Sequence, residues 1–130
     1  MKRCLLTLGL AVMPVLMMPS LSYAIDKQAA LDLAKKSGCL ACHSIEKKVV
    51  GPAWMDVSKK YKGVDKISVK LTDGSTVEDT PKNALTKKVH AGGKGNWTEV
   101  TGGVPMPPYS PRVADADIDT LVSFVLSLAE

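Results

Sequence analysis

The chain has no apolar run long enough to cross a membrane. Its one extended apolar stretch, from Cys4 to about Met18, is broken by Pro14 and closed by Pro19. That falls short of the roughly 18 continuous apolar residues a spanning helix needs. Lys2 and Arg3 precede the stretch, and Ser22-Tyr23-Ala24 follows it with small residues at the two positions a signal peptidase inspects. The pattern is that of a secretory signal peptide, residues 1–24, cleaved after Ala24. No lipobox surrounds Cys4, so a lipid anchor is not expected. Charge of one sign is also scarce. The leader takes two of the 17 basic side chains and none of the 13 acidic ones. The remainder is only slightly positive, which does not suggest nucleic-acid binding. Neither an internal repeat nor a low-complexity tract is present, and 130 residues leave room for one domain, residues 25–130, and not for two cores.

Cysteine is scarce too. Of three in the chain, one lies in the leader, leaving Cys39 and Cys42. His43 follows at once, so Cys39-Leu40-Ala41-Cys42-His43 has the spacing of a c-type haem attachment sequence. Two thiols three positions apart reach two vinyl groups on one porphyrin edge, and the adjacent imidazole is carried under the iron. Forming the thioethers requires reduced thiols outside the cytoplasm, in keeping with an exported chain. A zinc site would need more ligands, and His90 is the only other histidine. A thioredoxin-like pair would need a βαβ setting, which the pattern lacks.

The rest of the chain reads as mostly helical. Ala29, Ala30, Leu33 and Ala34 give Asp26–Ser37 a helical period, and Gly38 supplies the stop. Gly51-Pro52 opens a second helix, with Pro52 in its first turn, running to about Tyr61. Ile67, Val69 and Leu71 alternate ahead of Asp73-Gly74, which predicts a small β-hairpin over Ile67–Glu78. Thr80-Pro81 caps a helix to about Ala91, ended by Gly92-Gly93. Gly95–Pro111 is rich in glycine and proline and reads as an ordered loop. Asp115 is expected to cap the last helix, whose apolar face carries Ile118, Leu121, Val122, Val125 and Leu128.

Two methionines lie outside the leader, Met55 and Met106. Met55 falls on a helix, where a core role is expected. Met106 stands between Pro105 and Pro107-Pro108, a stiff extended segment suited to holding a weak thioether ligand against iron. His/Met ligation raises the reduction potential, as suits a carrier. His90 is the competing ligand, but with Lys87 and Lys88 beside it a solvated histidine is expected.

On Gly38–His43, Gly51-Pro52-Ala53-Trp54, Gly95-Asn96-Trp97 and Val104–Pro108, the chain resembles the small bacterial class I cytochromes c. The resemblance implies an all-α fold in which the first and last helices cross near a single covalently bound haem c. It implies that the Pro52 carbonyl accepts the ring N–H of His43, and that Trp97 lies near a haem propionate or serves as a core aromatic. Gly38 would permit close packing against the last helix, with Phe124 as the aromatic partner. The 67–78 hairpin departs from the pattern as an insertion.

The expected function is one-electron shuttling in the periplasm between respiratory partners (a membrane cytochrome complex, an oxidase or a reductase) by transient docking of a monomer. Lys47, Lys48, Lys59, Lys60 and Lys62 offer a steering rim or an ordinary solvated face. The rival readings are a gas-binding haem protein with an open sixth position and a fixed subunit of a larger dehydrogenase. A peroxidase lacks its second motif or its distal acid–base histidine.

Overall fold

The structure is a computed structural model describing residues 25–130; the leader expected over residues 1–24 lies outside them. Five helices and one hairpin follow in order: α1 (Lys27–Lys36), α2 (Trp54–Tyr61), β1 (Ile67–Lys70), β2 (Thr76–Asp79), α3 (Pro81–Ala91), α4 (Thr98–Thr101) and α5 (Asp115–Ser127). A 3₁₀ turn, Cys39–Ala41, links α1 to the segment before α2.

Each helix start has a local cause. Asp26 caps α1, its carboxylate accepting the Gln28 N–H at 2.9 Å, and so satisfies one of the donors a first turn leaves free. Thr80 does the same for α3 through Asn83 N–H, with Pro81 in the first turn. Two expected starts shift. Pro52 precedes α2 instead of entering it, and Ala53 stands at the cap. Asp115 is the first residue of α5 and not its cap, which is Ala114 with no side-chain bond. Asp115 and Asp117 still place negative charge at the positive end of the helix dipole.

The core forms where α1 and α2 meet α5. Ala30 and Ala34, one turn apart on α1, are both buried and let α5 come close. On α2, Trp54, Val57, Ser58 and Tyr61 fall on one helical face and are buried. On α5, Ile118, Leu121, Val122, Phe124 and Val125 face inward. A second cluster joins Tyr109 and Val113 to Ile118 and Val122.

The hairpin pairs Ile67 with Asp79 and Lys70 with Thr76 in an antiparallel register. Its turn is closed by Gly74 N–H to Leu71 O at 3.0 Å and by Leu71 N–H to Ser75 O at 2.9 Å. Gly74 sits at φ +85°, a left-handed position open to glycine at little cost. Such a hairpin is marginal alone; here Ile67 and Val69 are buried and the sheet packs on α3. The loop expected over residues 95–111 contains one helical turn, α4, that the glycine-rich composition concealed. No helix among the described residues is long and apolar enough to cross a membrane.

Candidate functional site

Gly38, at φ +82°, ends α1 and swings the chain into the 3₁₀ turn. Close packing is not the reason for glycine here: a β-carbon at Gly38 would meet nothing within 4 Å. The requirement is the left-handed backbone, and Phe124 instead meets Trp54 edge-on at 6.3 Å. The turn is held by Cys42 N–H and His43 N–H, both donating to Cys39 O at 3.2 and 3.0 Å. Cys39, Cys42 and His43 therefore leave one tight turn and line one cavity. The two cysteines form no disulfide with each other. Burial pushes the Cys39 thiol up, against a smaller pull from Arg112, which keeps it protonated.

The segment after the turn fixes His43. Gly51 N–H donates to Cys42 O at 2.7 Å, and Trp54 N–H to Ser44 O at 2.9 Å, folding residues 51–54 back against the ring. His43 Nδ1–H then donates to the Pro52 carbonyl oxygen at 2.8 Å. A carbonyl only accepts, so the proton sits on Nδ1 and Nε2 keeps its lone pair. Burial pushes the His43 pKa down, more than the Pro52 bond pushes it up, and the imidazole stays neutral. Trp54 stacks on its other side, 5.8 Å between centroids at 24°.

The cavity encloses about 1210 Å³ with its open mouth and the solvent in it included. Its walls are mostly apolar, with Val57, Val69, Leu85, Leu121 and Val122 drawn from α2, β1, α3 and α5. Met106 lines it from the proline-flanked segment, its backbone paired with Gly93 by two hydrogen bonds of 2.9 Å. Trp97 lines it too, edge-on to Tyr61 at 6.4 Å and with Lys60 Nζ 4.3 Å from its ring centre. Met55, half-exposed on α2, does not line it. Nor does His90, whose Nδ1 lies 3.5 Å from Asp115 Oδ1.

Lys88 is 9% exposed and lines the cavity. Its ammonium donates to the Lys70 carbonyl, and burial pushes its pKa down. All five lysines of the expected rim are exposed. Lys60 is engaged with Trp97 and donates to Asn96 O at 3.3 Å, and Lys62 donates to Ala129 O at 2.6 Å. Lys47 and Lys48 stay exposed beside Val49 and Val50.

This donor set fits a tetrapyrrole. Two thiols and a neutral imidazole share one turn, a thioether sulfur belongs to the same cavity, and the walls suit a large apolar ring. The cytochrome c family model matches residues 28–129, and the chain belongs to the cytochrome c family. It is a small monohaem cytochrome with a covalently attached haem c, an electron carrier and not an enzyme. Cytochrome c-551 of Allochromatium vinosum is 41% identical over 109 residues, covering 84% of this chain and 96% of that one. Cytochrome c-552 of Nitrosomonas europaea is 41% identical over 101 residues, 78% of this chain and 80% of that one. The crystal structure of wild-type Nitrosomonas europaea cytochrome c552 matches with a TM-score of 0.58 at 38% identity, covering 75% and 98% of the two chains. The class 1 cytochrome MtoD of Sideroxydans lithotrophicus ES-1 matches at 0.58 with 26% identity, covering 82% and 100%.

Proposed function

We propose that the chain is a periplasmic shuttle of single electrons whose haem is held by Cys39 and Cys42 and ligated by His43 and Met106. The observation that carries this reading is the shared cavity. His43, with its Nε2 lone pair kept free by Pro52, and Met106, on its proline-stiffened strap, come from distant parts of the chain and line one apolar space. Haem c supplies an iron that exchanges one electron between its ferrous and ferric states. The residues do the rest. Cys39 and Cys42 tether the ring through thioethers. Pro52 orients the His43 ring and raises its basicity. Trp97 closes one side of the cavity, and the apolar walls exclude water. With His43 and Met106 both engaged, no position would remain open for a gas or substrate.

Partners are redox proteins of a respiratory chain, met in brief encounters by a monomer, as small redox interfaces are. Exposed Val49 and Val50 with Lys47 and Lys48 beside them supply an apolar contact with positive steering at the mouth of the cavity.

The test is the purified mature protein. Its intact mass should equal residues 25–130 plus one haem, and its ferric spectrum should carry the weak red-region charge-transfer band of iron–sulfur ligation. Met106→Ala should abolish that band. Its survival in that variant, or tight carbon monoxide binding by the native ferrous protein, would refute the ligand assignment. Recovery outside the osmotic-shock fraction would refute the location.

A further inference from the structure

We propose that the hairpin β1–β2 braces the Met106 strap from behind, through Gly92 and Gly93, and so governs how readily an outside ligand displaces the Met106 sulfur. The inference rests on Met106 being an iron ligand, as proposed above.

Three backbone layers lie in contact. On one side, Gly93 and Met106 exchange two hydrogen bonds of 2.9 Å. A β-carbon on Gly92 would lie 2.5 Å from Met106 O and 2.8 Å from Pro108 N. On the other side, Thr72 N–H donates to Gly92 O at 3.1 Å. A β-carbon on Gly93 would lie 2.3 Å from Lys70 O and 2.9 Å from Leu71 C. The two glycines are thus sandwiched between strap and hairpin with no space for a side chain. Consecutive glycines at φ +69° and +143° have the greatest backbone freedom of any pair. Their stiffness has to come from outside, and the hairpin supplies it.

The hairpin is itself clamped to the same wall. Asn96 Nδ2 donates to Ser68 O at 2.6 Å, and its Oδ1 accepts Lys70 N–H at 3.3 Å. The Lys88 ammonium donates to Lys70 O, and Val69, 1% exposed, lines the cavity. The remainder of the strap is tied to the end of α3, Tyr109 N–H donating to Val89 O at 3.0 Å. Moving Met106 away from iron therefore requires Gly92–Gly93 to move with it or to part from it, and the hairpin opposes the first.

The experiment is displacement of the sulfur by added imidazole in the ferric holoprotein, followed by decay of the red-region band. Thr72 is the second residue of its turn, where proline is favoured. Thr72→Pro therefore removes the N–H that reaches Gly92 and keeps the turn. Asn96→Ala removes the clamp. Each should speed displacement roughly three- to ten-fold, the effect of losing one net hydrogen bond. Thr76→Ala, exposed on β2, should keep the wild-type rate. Hydrogen exchange at the Met106 amide should quicken in Thr72→Pro alongside. Wild-type imidazole kinetics in Thr72→Pro overturn the brace, whether or not Asn96→Ala folds, as does equal acceleration in Thr76→Ala. A band that persists in Met106→Ala overturns the ligand assignment instead, so the two failures are told apart.

Discussion

Gly51 lies so close to the ring of His43 that a β-carbon would come within 2.5 Å of Cε1 and 3.0 Å of both nitrogens. The backbone of residue 51 is the floor on which the imidazole rests, and the Pro52 carbonyl one residue on sets its rotation. Orientation of the ring is thus a property of a two-residue segment and not of the attachment sequence alone.

Gly51→Ala should therefore tilt the ring. Overpacking at one methyl costs about 1–3 kcal/mol, and here it falls on the ring that Pro52 aligns. We expect a lower yield of holoprotein and a mixed-spin ferric spectrum in what is recovered. A low-spin spectrum at wild-type yield would show that the ring has room to spare.

Gly38 separates conformation from space. With nothing within 4 Å of a β-carbon and φ at +82°, Gly38→Ala should cost about 1–2 kcal/mol through its left-handed backbone alone. Gly38→Asn should cost less, because asparagine tolerates that region. Denaturant midpoints of the ferric protein give the ranking. A loss that grows with side-chain volume, asparagine below alanine, would return the explanation to packing.

Ser58 ties the end of α5 to α2. It is 1% exposed, its hydroxyl donates to Leu126 O at 2.7 Å and accepts Ala129 N–H at 3.0 Å. Ser58→Ala leaves both backbone groups without that partner and should lower stability by about 1–3 kcal/mol. The visible spectrum should not change, since Ser58 does not line the cofactor cavity. A shifted spectrum would mean that the α2–α5 contact reaches the ligands.

His90 should be dispensable for ligation. It faces Asp115, itself mostly exposed, and such surface pairs contribute under about 1 kcal/mol. His90→Gln should retain the red-region band and the wild-type midpoint potential. Loss of the band in this variant would mean that Met106 ligation depends on the His90–Asp115 contact.

The Cys39–His43 spacing, the proline-flanked Met106 and the hairpin were legible in the residues, because each depends on neighbours within a few positions, whereas the His43–Pro52 pairing came only from the family resemblance. Fixed spacing, proline's locked φ and the alternation of Ile67, Val69 and Leu71 are local facts. The shifted starts of α2 and α5 were not legible, because Ala53 and Ala114 cap without a side chain and leave no chemical mark. The burial of Lys88 was not legible for a similar reason. A lysine reads as solvated unless its partner is known, and its partner is a backbone carbonyl 18 residues away.

The sequence by itself determined the cofactor and the mostly helical class, since these follow from residue type and spacing along the chain. Only the tertiary structure decided where the hairpin packs, why Gly93 must be glycine and which carbonyl Lys88 meets. Those depend on distances between segments remote in sequence. Gly93, read from the sequence only as part of a helix stop, becomes glycine alone once Lys70 O stands 2.3 Å from where its β-carbon would be.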